Sequence, residues 1–122
     1  MADILHVLHV AVQVSDLEQA DKFYSEVGGV KKVERNLSFA GSWYQAGDLQ
    51  LHLIVSDWAK HPEREDKWGR HPHVTFAIKG LDQVKQSLIA HQVPFQMSSS
   101  GRAALFVKDP DGNTVELLEI SD

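Results

Sequence analysis

No cysteine occurs in the 122 residues, so disulfides and thiolate metal sites are both excluded, and any bound metal must be held by nitrogen and oxygen. Positive charge is scarce as well. Twelve Lys and Arg against 17 Asp and Glu leave a formal charge of −5, which offers a polynucleotide no basic patch. No run approaches the roughly 18 apolar residues that cross a bilayer. The N-terminal MADILHVL lacks the basic region and long apolar core of a signal peptide. The expectation is a single-domain cytoplasmic protein, residues 1–122, with no nucleic-acid or membrane partner.

What the chain does contain is a repeat. Shifted by 64 positions, His73 falls on His9, Val74 on Val10, Ile78 on Val14, Leu81 on Leu17 and Gln83 on Gln19. The same shift puts Glu116 on His52 and the Asp111-Gly112 turn on Gly47-Asp48. One offset shared by distant blocks indicates a structural unit used twice.

Alternation and turn signals give that unit a βαβββ order. In the first copy a strand spans Ile4 to Val14, and Ser15 or Asp16 caps a helix running to about Val27. Gly28-Gly29 ends the helix, and strands follow near Lys31 to Arg35, Ser42 to Ala46 and Leu49 to Val55. In the second copy the strands are His73 to Ile78, Phe95 to Met97, Arg102 to Lys108 and Thr114 to Ile120, with a helix from about Leu81 to His91. Module 1 covers about 1–56, a charged, aperiodic linker about 57–70, and module 2 about 71–122. The fold class expected is α+β, two βαβββ modules in tandem with curved mixed sheets forming a cleft.

Strand parity sorts the polar residues. Val10, Val12 and Val14 face the helix, with Val74, Phe76 and Ile78 as their counterparts, which leaves His9 and His73 on the opposite face. The same count leaves His52 and Glu116 opposite. Three imidazoles and a carboxylate converging in a cleft need a partner, and a divalent cation satisfies all four. His6, His61, His71 and His91 fit the repeat nowhere and read as surface or hydrogen-bonded histidines. Ser98, Ser99, Ser100, Gly101 and Arg102 form a polar stretch in which Arg102 and Ser100 are candidate substrate contacts. Trp43, Trp58 and Trp68 either wall a substrate cleft or pack the linker down. Lys60, Arg64 and Lys67 alternate with acids as a solvated surface.

With these residues placed, the chain resembles the vicinal oxygen chelate superfamily of glyoxalase I, bleomycin-resistance proteins and extradiol dioxygenases. The stretches that carry the resemblance are LHVAVQVSDLEQADKFYSEVGG, HPHVTFAI and ALFVKDPDGNTVELLEI. It implies metal ligands at His9, His73 and Glu116 with His52 at a fourth ligand position, where bacterial glyoxalase I has a glutamate. It also implies a divalent metal cofactor (Zn, Ni, Co, Mn or Fe(II)) and a homodimer with shared sites. The activity expected is that of a metal-dependent lyase, isomerase or thiol transferase acting on a small substrate chelated through adjacent oxygens, with Glu116 handling a proton. The alternatives are an antibiotic-sequestering binding protein and an extradiol-type dioxygenase.

Overall fold

In the computed structural model the order of elements reproduces the repeat almost residue for residue. The structure describes residues 2–27, 29–35, 37–38, 40–57 and 67–120, so Gly28, Trp58, Lys60, His61 and Arg64 lie outside the described residues. The elements are β1 (His9–Val14), α1 (Leu17–Lys22), β2 (Lys31–Val33), β3 (Gly41–Ala46), β4 (Leu49–Val55), β5 (His73–Ile78), α2 (Leu81–Ala90), β6 (Phe95–Met97), β7 (Ala104–Lys108) and β8 (Thr114–Glu119). A π-helical turn, Phe23–Val27, continues α1, and a 3-10 turn, Trp68–Arg70, precedes β5.

Two four-stranded mixed sheets result, ordered β1-β4-β3-β2 and β5-β8-β7-β6. The architecture is α+β, two similar βαβββ modules in tandem. The register repeats too. Ala11 lies opposite His52 in the parallel β1–β4 pair, and Thr75 lies opposite Glu116 in the parallel β5–β8 pair. The chain divides into two compact units, residues 1–59 and 60–122.

In the first unit, Val14, Ala20, Phe23, Tyr24, Tyr44, Leu51 and Leu53 are buried. These are the helix-facing positions of the strands together with one stripe of α1, as parity requires. Asp16 caps α1 by accepting from the Gln19 amide at 3.1 Å. Asp21, on α1, accepts a hydrogen bond from the Tyr44 hydroxyl of β3 and a 3.1 Å contact from Lys32 Nζ of β2. One carboxylate therefore ties the helix to two strands.

The second unit buries Leu81, Leu88, Leu105, Val107, Val115 and Leu117 in the same way. Its helix lacks a capping side chain of its own, because Gly80 stands at the cap with φ +73. Glu119 of β8 supplies the acceptor instead, taking the Leu81 amide at 2.7 Å. At the β7–β8 turn Asp109 accepts from the amides of Asp111 (3.0 Å) and Asn113 (2.8 Å) and from Asn113 Nδ2 (2.8 Å).

Several elements differ from expectation, among them β2, which ends at Val33 rather than Arg35, and β7, which begins at Ala104 rather than Arg102. The first strand begins at His9 rather than Ile4, because His9 already pairs with Gln50, and only Leu49 separates Gln50 from the Gly47-Asp48 turn. Among the described residues β4 leaves no strand partner for Ile4 and Leu5, which are 88% and 87% exposed. The helix expected from Leu17 to Val27 changes from α to π at Phe23. Within the linker, the 3-10 turn at Trp68 is ordered structure that its composition did not announce. Among the described residues no helix is long and apolar enough to cross a membrane.

Candidate functional site

The sheet face opposite the helix carries the candidate ligands in each unit, two per unit. In the first, β1 presents His9 and β4 presents His52. Their rings stack with centroids 4.0 Å apart and planes 12° from parallel. Trp43, the cross-strand neighbour of His52 on β3, stacks on its other side at 4.4 Å and 10°. The result is a three-ring pile of Trp43, His52 and His9. His52 Nε2 lies 2.8 Å from Gln50 Oε1. Burial holds the His52 pKa below the usual histidine value, and the positive charges of His9 and Arg35 push it the same way.

In the second unit, β5 presents His73 and β8 presents Glu116, which is 2% exposed. His73 Nδ1 donates to the His71 carbonyl at 2.6 Å, which leaves Nε2 facing Glu116 Oε1 at 3.3 Å. A neutral imidazole so arranged sets a lone pair against a carboxylate oxygen, so the gap calls for a proton or a cation. Thr75, the register partner of Glu116, donates its hydroxyl to Oε1 at 2.7 Å, and Arg102 Nη2 holds Oε2 at 2.9 Å. Phe106, across from Glu116 on β7, meets the His73 ring edge-on at 5.6 Å.

Arg102 is thus seated on the chain's own carboxylate. Its Nε also donates to Ser100 Oγ at 3.2 Å, and Ser100 shares a 2.8 Å hydrogen bond with Ser98. Ser100 and Arg102 are brought together as the polar stretch suggested. The Arg102 side chain remains 56% exposed.

A second polar group on the same sheet face escaped sequence reasoning. Lys108 Nζ donates to Thr114 Oγ1 at 2.7 Å, contacts His71 Nδ1, and lies 5.4 Å from the centre of the Trp68 ring. Trp68 is fixed to the body of the unit by its amide, which donates to Gln96 Oε1 at 2.8 Å. His71 therefore belongs to a cluster rather than to open surface. The available signal was parity, since Lys108 and Thr114 are register partners on the face that carries Glu116. His6 is exposed, and His91 ends α2 with Nδ1 donating to the Ser87 carbonyl at 2.8 Å.

Among the described residues neither unit gathers three His, Asp or Glu side chains that could hold a metal. Each contributes a pair. The His73–Glu116 pair fits a divalent ion, because both facing atoms are donors and the histidine's other nitrogen is committed to a carbonyl.

A family model described as the Glyoxalase/Bleomycin resistance protein/Dioxygenase superfamily matches residues 6–117. The chain belongs to that superfamily. Among the superfamily's curated proteins, a "Probable lactoylglutathione lyase" of Vibrio parahaemolyticus is 27% identical, over 93% of this chain and 89% of its own length. Its namesake from Vibrio cholerae is 24% identical over the same shares. The crystal structure of a lactoylglutathione lyase from Agrobacterium tumefaciens has a TM-score of 0.69 at 22% identity, covering 96% of this chain and 95% of that one. The structural likeness is one of fold.

Proposed function

We propose that this chain is a metal-dependent enzyme of lyase, isomerase or thiol-transferase type. Its substrate would be a small molecule held through two adjacent oxygens. The observation that carries this reading is the Nε2–Oε1 pair of His73 and Glu116, two donors 3.3 Å apart with the histidine's Nδ1 already spent on a carbonyl. His73 and Glu116 would hold the ion together with His9, whose ring stacks on that of His52. When bound, a divalent ion supplies Lewis-acid stabilisation of negative charge on the substrate oxygens.

The chain's own residues do the rest. Thr75 and Arg102 fix the Glu116 carboxylate in one orientation, in which it would take or return a substrate proton. Arg102, more than half exposed, is also placed to meet an anionic group of the substrate. Trp43 flanks His52 on the same face and offers a flat apolar surface beside it. A homodimer belongs to this reading. If the two ligand pairs of a centre come from different chains, co-expressed His9→Gln and His73→Gln copies should restore metal binding that neither shows alone.

One observation favours a second reading, a metal-free binding protein. Both Glu116 oxygens already have partners from the chain itself, so burial of the carboxylate is satisfied without a metal. The readings separate on protein purified without chelator. Bound Zn, Ni, Co, Mn or Fe at about one per site, followed by turnover of methylglyoxal with thiols, fosfomycin, catechols or acyl-CoA esters, is the expected result. A protein that holds none of these metals and gains no thermal stability from any of them would be read as a sequestering protein instead.

A further inference from the structure

His52 sits in a chain of hydrogen bonds whose direction can be read from one end. Gln45 and Gln50 are cross-strand partners on β3 and β4, and Gln50 shares its face of β4 with His52. Gln45 Nε2 donates to the Gly47 carbonyl at 2.7 Å. A carbonyl only accepts, so the Gln45 amide cannot be reversed, and its oxygen faces Gln50. Gln50 must then offer its nitrogen, which donates to Gln45 Oε1 at 3.0 Å. That leaves Gln50 Oε1 toward His52, 2.8 Å from Nε2. An amide oxygen only accepts, so His52 Nε2 carries the hydrogen.

We infer that His52 stays outside the metal's coordination shell, held as the Nε2–H tautomer by the Gly47–Gln45–Gln50 relay, and serves as the central ring of the Trp43–His52–His9 pile. This rests on the metal-dependent reading above and changes what it implies. Nε2 is the nitrogen farther from the main chain, and here its lone pair is replaced by a hydrogen already donated to Gln50. The remaining nitrogen, Nδ1, lies nearer the backbone on a ring sandwiched at 4.0 and 4.4 Å. A ring flip that exchanged the two nitrogens would break the hydrogen bond to Gln50 and with it the relay.

The contrast with His73 is direct. There Nδ1 carries the hydrogen, donated to a main-chain carbonyl, and Nε2 is the free donor. In the repeat His52 is the counterpart of Glu116, and His73 of His9, so counterpart positions perform different tasks. His73 belongs to a metal seat, whereas His52 sits in a ring platform that helps orient His9. A divalent ion held by His9, His73 and Glu116 without His52 would have one more position open to substrate than one held by all four. The substrate class widens to a molecule with two adjacent oxygens plus one further small ligand.

Two measurements test this on the full chain. Zinc binding by titration calorimetry should be within about threefold of wild type for His52→Gln, whereas His73→Gln should lose more than a hundredfold. A comparable loss in both variants overturns the inference. In long-range 15N–1H imidazole spectra, His52 should show a protonated Nε2 and an uncoordinated Nδ1, with and without zinc. Gln50→Leu should release that tautomer preference while leaving the His73 signals unchanged. A His52 signal with Nδ1–H, or either nitrogen moving to a metal-bound shift on zinc addition, overturns it as well. If wild type binds no zinc or other divalent ion, the metal-dependent reading fails. The zinc-free spectrum still decides the tautomer.

Discussion

Replacing Tyr44 by Phe removes one hydroxyl from the wall between α1 and the first sheet. Tyr44 is fully buried and donates to Asp21, whose other oxygen is held by Lys32 at 3.1 Å. Burial pushes the Asp21 carboxyl up, but the hydrogen bonds from Tyr44 and Lys32, with the nearby Ser42 hydroxyl, outweigh it and hold the pKa below the usual value of 3.8. Ser42 lies close enough to bias the carboxylate although its buried hydroxyl makes no hydrogen bond of ordinary geometry. Burial, then the hydrogen bond to Asp21, raises the Tyr44 hydroxyl well above 10.0.

A hydrogen bond to a charged group contributes about 1.5–3 kcal/mol. Asp21 keeps Lys32 and is 23% exposed, so water partly replaces the lost donor. The expected loss is about 2 kcal/mol at neutral pH, or roughly 8 °C in Tm for a chain of this length. The sign of the pH dependence follows from both partners. Asp21 has a depressed folded pKa, so its contribution is present above the unfolded value and lost as pH falls through the folded one. Tyr44 has a raised folded pKa, so its contribution is present below the unfolded value and lost as pH rises beyond it.

The gap between wild type and Tyr44→Phe should therefore be widest between about pH 5 and 9 and narrow on both sides. Urea denaturation followed by circular dichroism at stepped pH measures it. A gap below about 0.5 kcal/mol at pH 7, or one that stays constant with pH, would refute the coupling of α1 to the sheet through this carboxylate.

Other perturbations have equally definite outcomes. Asp109→Ala strips three hydrogen bonds from the β7–β8 turn and removes the acceptor for two amides, and should cost about 3–4 kcal/mol in equilibrium denaturation. Gly41→Ala would place its Cβ 2.3 Å from the Leu53 carbonyl oxygen, so β3 and β4 must shift; about 2 kcal/mol or more of lost stability is expected by the same assay. Thr75→Val takes a hydroxyl donor from the buried Glu116 and should lower stability by about 1–2 kcal/mol at pH 7, whether or not metal is present. A divalent metal at a hundred times its Kd should raise stability by about 2.7 kcal/mol in a thermal-shift titration, a gain that His73→Gln should abolish.

Alternation and turn signals, recurring at a 64-residue offset, were enough to order the strands. Apolar residues alternating along β1 and β5 specify which face meets a helix, and β4, β5 and β6 begin and end where the pattern says. Alternation carries that information because a one-residue slip would turn every side chain over. It carries none about pairing length, so the run from Ile4 reads as strand although β4 begins at Leu49 and its pairing with β1 starts at His9 and Gln50.

Local pattern also brought His9, His52, His73 and Glu116 to equivalent positions without distinguishing their surroundings. The difference lies across the sheets, where Gln45, Gln50 and Trp43 surround His52 while Thr75, Arg102 and the His71 carbonyl surround the His73–Glu116 pair. Which nitrogen of a histidine carries its hydrogen depends on what faces it. Those neighbours come from other strands and turns, so only the tertiary structure could supply them.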